Sequence, residues 1–200
     1  VCQFQMCAGA LATDQRWLQE EIARKLLVRT AGDTVVRRAL EEAVIVYATD
    51  AKKYNPVVRA RAVYFLGLLE LNDAPAAQEV LQTLLDDPSA RVAREAALAL
   101  APIGESAAAD RVLRELARPD PLRRAAAARA LRGLPGPAMT AALVAALREE
   151  DNRYVRRNAI RSLAATRDVE AVPALVAAFD DVPEDEWYLL TDALRAITGK

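Results

Sequence analysis

The sequence predicts an all-α protein, an α-solenoid of about five to six stacked helical pairs, on three observations. First, an Asn or Asp, usually followed by proline, recurs at Asn55-Pro56, Asp87-Pro88, Asp120-Pro121 and Asp151-Asn152. These openings lie 32, 33 and 31 residues apart, and a fixed period of that size marks stacked supersecondary units. Second, each opening is followed by the same apolar spacing. Third, hydrophobic residues make up 53% of the chain but aromatics only 5%, so the core is built from Ala, Leu and Val, which suits closely packed helices.

Each opening predicts a helix start. An Asn or Asp side chain accepts hydrogen bonds from free N–H groups there, and proline suits the first helical position. The first helices then carry Val58-Arg59…Ala62…Leu66, Val92-Ala93…Ala96…Leu100, Arg123-Arg124…Ala127…Leu131 and Val155-Arg156…Ala159…Leu163. Spacing of i, i+4 and i+8 puts anchor, alanine and leucine on one helical face. The alanine column admits the neighbouring helix at the crowded centre of that stripe. Second helices follow turn-prone links at Leu71-Asn72-Asp73, Gly104-Glu105-Ser106, Gly133-Leu134-Pro135-Gly136 and Thr166-Arg167-Asp168. They carry the apolar pairs Leu81…Leu84, Leu113…Leu116, Val144…Leu147 and Val176…Phe179, at i, i+3 spacing and recurring every 31 or 32 residues. A single pair cannot cover its own apolar faces, and stacking supplies the missing surface.

In chain order this gives a flexible or processed segment at 1–10, a divergent helical pair at 11–54 and repeats at 55–200. The repeats run 55–86, 87–119, 120–150, 151–181 and a terminal half-repeat at 182–200. The divergent pair comprises a helix at 11–30, with Trp17, Leu18, Ile22, Leu26 and Leu27, and one at 33–50 capped by Asp33. The last helix, Glu184 to Ile197, sets Leu190 and Leu194 in the Ala and Leu columns, with Trp187 in place of arginine. Cys2 and Cys7 fit either a disulfide or two ordinary thiols. A first residue of Val predicts a processed or trimmed chain, cytoplasmic or exported with its signal removed. No run of 18 apolar residues predicts a membrane span.

Net charge is −1, yet it divides into −2 over 1–87, +7 over 88–167 and −6 over 168–200. The basic centre uses arginine alone. It is expected to be a solvated, ion-paired surface, with a partner-binding patch as the other reading. Arg59, Arg124 and Arg156 share one column. An inter-repeat ladder is expected, each guanidinium bridging backbone carbonyls and a carboxylate from Asp87, Asp120 or Asp151; a ligand-binding arginine row is the alternative.

The chain contains no histidine, which excludes a Ser-His-Asp triad, a Cys-His dyad and His-ligated zinc. No glycine-rich phosphate loop is present. Carboxylate pairs such as Glu41-Glu42, Asp86-Asp87 and Asp180-Asp181 are sequence neighbours about 100° apart on a helix, and fit capping better than acid–base work. No enzyme activity, cofactor or metal is therefore predicted.

At 87–104 the run Asp-Pro-x-x-Arg-Val-x-Arg-Glu-Ala-Ala-Leu-Ala-Leu-x-x-Ile-Gly resembles the HEAT-like repeat of bilin-lyase-related bacterial proteins. Asn152-Arg153-Tyr154-Val155-Arg156-Arg157-Asn158-Ala159, followed by Ala171-Val172-Pro173-Ala174-Leu175-Val176, is similarly close. The resemblance covers 55–200 well and 11–50 weakly. It implies the fold and leaves the function wide, because that family spans scaffolds, chaperone-like proteins, lyases and DNA-repair enzymes. With no histidine, any likeness to the HEAT-repeat iron hydroxylases, whose His-Glu motifs supply the metal ligands, is excluded.

Second helices of such solenoids line a concave face where partners dock. The expectation is therefore a non-enzymatic protein-binding scaffold using the concave face of residues 75–180. Candidate partner-binding positions are Gln82, Arg111, Arg114, Ala145, Ala146, Ala177 and Ala178. The alanines fit a smooth strip for a partner segment, or else tight packing between second helices. A lyase-like role presenting a chromophore and an acceptor protein is the alternative. Nucleic-acid binding through the arginine-rich repeats is a further one, disfavoured because residues 88–167 hold a single aromatic, Tyr154.

Overall fold

The computed structural model describes residues 33–69, 74–148 and 150–199, together with the helical positions Glu21, Lys25 and Val28. The expectations for residues 1–10, for Cys2 and Cys7, for most of the 11–30 helix and for the Leu71-Asn72-Asp73 link lie outside them. All regular structure among the described residues is helical, and the fold is of the α-solenoid class. The elements are α1 (Thr34–Thr49), α2 (Pro56–Leu66), α3 (Pro75–Leu84), α4 (Ala90–Leu100) and α5 (Ser106–Glu115). They continue as α6 (Pro121–Ala130), α7 (Pro137–Arg148), α8 (Arg153–Thr166), α9 (Val172–Ala177) and α10 (Trp187–Thr198). The chain divides into two compact units, at Ile103 and Gly104.

In the first unit α2 packs on α1 and α4, and α3 on α4. In the second, α8 is central, packed between α6 and α10 and against α7. The predicted columns occupy these cores: Ala62, Ala96, Ala127 and Ala159 are 0% exposed, as are Leu66, Leu100, Leu131 and Leu163. Burying each such leucine is worth about 1.5–3 kcal/mol. Side chains also bond across the stack, where Asn158 Nδ2 donates to the Ala125 carbonyl at 3.0 Å and Ser162 Oγ to the Ala128 carbonyl at 2.6 Å.

Two expectations need correction. The caps are Asn55, Ser89, Asp120 and Asn152, so Asp87 and Asp151 do not start helices. Asp87-Pro88 belongs to the preceding turn, where the Asp87 carboxylate accepts from the Ser89 N–H at 2.9 Å. In the second helices the fully buried column is Leu81, Val112, Leu143 and Leu175, each 0% exposed. Of the expected pairs, Leu81, Leu84 and Leu147 are buried, Leu113, Leu116, Val144 and Phe179 half-buried and Val176 exposed, so the buried stripe takes Val112, Leu143 and Leu175 in place of Leu113, Val144 and Val176. Helices this rich in Ala, Leu and Val offer two adjacent apolar stripes, and packing selects between them.

At the C-cap of α2, Gly67 approaches α4 so closely that a Cβ there would lie 2.7 Å from Ala99 Cβ. Its φ of −66° is ordinary, so contact alone demands glycine. Gly67→Ala should cost about 1–3 kcal/mol through overpacking, read as a lower melting temperature by circular dichroism. An added Ala99→Gly should recover part of it.

Candidate functional site

Buried or half-buried arginines tie neighbouring repeats together within each unit. In the first, Arg59 donates through Nε to the Ala48 carbonyl at 2.9 Å and through both terminal nitrogens to Asp87. The two side chains are 5% and 6% exposed. In the second, Arg124 donates to both oxygens of Glu150, at 2.6 and 3.0 Å, and to the Arg118 and Pro119 carbonyls, each at 2.7 Å. Arg156 reaches the Glu150 and Asp151 carbonyls and the Glu186 carboxylate at 3.4 Å.

The carboxylates thus differ from the expected set in two places. Asp120 caps its own helix through the Leu122 N–H at 2.9 Å, and Asp151 contributes only its carbonyl to Arg156. Their places are taken by Glu150 and Glu186. Corrected caps reveal the rule: Asp87 stands two residues before Ser89, and Glu150 two before Asn152. Each also accepts from that cap's N–H, Glu150 from Asn152 at 2.8 Å. The remaining repeat lacks both members in sequence, with Ala93 at the arginine position and Arg118 at the acid position.

Glu186 is the most loaded of these groups. Its carboxylate, 2% exposed, lies 3.3 Å from Arg153, 3.4 Å from Arg156 and 3.2 Å from Arg157. Arg157 also donates to the Tyr188 hydroxyl at 3.4 Å. Sequence reasoning missed it because residue 186 falls in the divergent last repeat.

The hydrogen bond from Arg124 holds the Glu150 carboxyl below the usual carboxylate range against the opposing effect of burial, helped by the Asn152 N–H and the charges of Arg124 and Arg156. A depressed folded-state pKa stabilises the fold above the ordinary glutamate value, about 4.3, and that contribution disappears as pH falls through the folded-state value. Urea midpoints should therefore hold from pH 7 to 5 and drop below about 4.3. A Glu150→Gln variant should start lower at pH 7 and lose less on acidification.

One groove stands out in the second unit. First helices α6 and α8 pack closely, whereas second helices α5 and α7 hardly touch. Between them lies an open groove of about 900 Å³, walled by Leu113, Leu116, Ala142, Ala145 and Ala146, with Arg118, Arg124, Glu150 and Asp151 at one end. Of the candidate partner-binding positions, Ala145 and Ala146 line it. Arg111 and Arg114 lie on α5, half-buried and exposed respectively, and are not among its lining residues. The alternative of tight packing between second helices does not describe α5 and α7. Gln82 belongs to the first unit and is exposed; Ala177 is exposed on α9. Ala178 corrects its expectation: it is 6% exposed and part of the core.

Among the described residues no cluster of three or more His, Cys, Asp or Glu side chains is arranged to hold a metal. None of their helices is long and apolar enough to cross a membrane. The family profile described as HEAT repeats matches residues 49–132 and 110–197. No curated protein matches the sequence. Among solved structures, the chain is similar to an engineered protein at 21% identity and a TM-score of 0.57, covering 100% of this chain and 97% of that one. It is also similar to human deoxyhypusine hydroxylase in complex with glycerol, at 20% identity, a TM-score of 0.43 and coverage of 99% and 89%. The first likeness concerns the fold alone, and the second is too low to carry an argument.

Proposed function

This chain belongs to the HEAT-repeat family, and on that premise we propose that it is a non-enzymatic protein-binding scaffold working through the groove between α5 and α7. One observation carries the reading: second helices that hardly touch leave Ala142, Ala145 and Ala146 lining open space. Small side chains there present a smooth apolar wall, the surface a partner helix or extended segment needs. The first helices carry most of the packing, and of the arginine–carboxylate ties described above Arg124–Glu150 borders the groove while Arg59–Asp87 and the Glu186 cluster do not.

Affinity capture with tagged chain tests this, with Ala145→Glu as the control. Residue 145 is exposed, so the variant should fold normally while placing a charge against the apolar wall. Wild type should retain partner proteins that the variant loses. Equal capture by both would remove the groove from consideration. The lyase-like alternative predicts an absorbance shift when the chain meets a linear tetrapyrrole. The nucleic-acid alternative predicts binding that weakens steeply with salt.

A further inference from the structure

We propose that the repeat at 87–119 is a joint, and that the two units on either side of it open and close independently. In a stacked array, repeats share stability only through what links each to its neighbour, so a step without links uncouples the two sides. The other steps along the first helices α2, α4, α6, α8 and α10 are linked by side chains. From α2 to α4 the link is Arg59 with Asp87. From α6 to α8 it is Arg124 with Glu150, joined by the bonds from Asn158 and Ser162 to the Ala125 and Ala128 carbonyls. From α8 to α10 it is Arg156 with Glu186, and Arg157 with the Tyr188 hydroxyl.

For the step from α4 to α6 the sequence supplies neither kind of link. The arginine belongs four positions after its cap and the acid two before the next cap; Ala93 and Arg118 stand there. Asn158 and Ser162 lie six and ten positions after their cap, and the same positions on α6 are Ala126 and Ala130. An alanine side chain has no donor to offer. The packing divides within the same repeat. Its first helix, α4, belongs to the first unit and packs there on α2 and α3. Its second helix, α5, belongs to the second unit and packs there on α6. Every residue lining the groove between α5 and α7 belongs to the second unit, so the groove stays formed while the first unit opens.

Hydrogen exchange read by mass spectrometry on the whole chain tests this, with one destabilising substitution in each unit. Arg59→Met should speed exchange about tenfold or more in α1, α2 and α4 while peptides from 104–199 stay within about twofold of wild type. Glu186→Ala should do the converse, speeding α8 and α10 and leaving 33–100 unchanged. The milder Arg157→Met gives the same reading of the second unit if Glu186→Ala unfolds it outright. Acceleration of both units by either substitution would overturn the joint, because the chain would then be one cooperative body. Acceleration confined to the single helix nearest the substitution would overturn it too, since every step would then be as loose as the one from α4 to α6.

Discussion

Glu186→Ala should be the most destabilising single substitution in the second unit, costing about 3–5 kcal/mol. The carboxylate is 2% exposed and stands between Arg153, Arg156 and Arg157, on α8, and its own position at the start of α10. Removing it leaves three guanidiniums facing one another, with Arg156 still largely buried. An uncompensated buried charge costs far more than the net worth of the pair it came from. Arg157→Met should cost much less, because two arginines would still neutralise Glu186. Urea unfolding followed by circular dichroism measures both, and hydrogen exchange should place the loss in α8 and α10. A cost below about 1 kcal/mol for Glu186→Ala, the range of exposed ion pairs, would mean that water screens the cluster.

The second large effect belongs to the first unit. Arg59→Met should cost about 3–5 kcal/mol, since it strands the Asp87 carboxylate and the Ala48 carbonyl in a site nearly closed to solvent. Asp87→Ala should cost a similar amount and also free the Ser89 N–H. The double variant should be less damaging than the sum of the two, because neither charge is then left alone. Strict additivity in this cycle would show that Arg59 and Asp87 do not interact energetically.

Much of this construction was legible in the sequence. The Ala62, Ala96, Ala127 and Ala159 column was readable because each alanine stands four positions before a leucine and the pair returns once per repeat. Such a pairing marks a helical face that a neighbouring helix approaches closely. Asn55 and Asp120 were readable as caps because each precedes a proline at the first helical position. Asp87 misled for that same reason: Asp87-Pro88 has the composition of a helix start but sits in the turn before it. The acids that pair with Arg124 and Arg156 were harder to find. Glu150 lies one residue before the expected Asp151, and its rule appears only once Ser89 and Asn152 are set as caps. Glu186 lies 30 residues beyond Arg156, in a repeat whose own pattern has lapsed.

The candidate site was legible as a region and not as a shape. Ala145 and Ala146 stood out because the second helices differ there, whereas Ala178 looked equivalent in sequence yet is buried. Whether an alanine strip closes against its neighbour or faces open space depends on helix separation, which composition does not encode. α5 and α7 make few close approaches, and the groove lies between them.

The most direct test of the groove as the partner surface is the affinity of a peptide, selected from a random library against the whole chain, for wild type and for Ala145→Glu, by fluorescence anisotropy at fixed salt. The groove predicts at least tenfold weaker binding to the variant with an unchanged melting temperature. Equal affinities for the two folded proteins would contradict it.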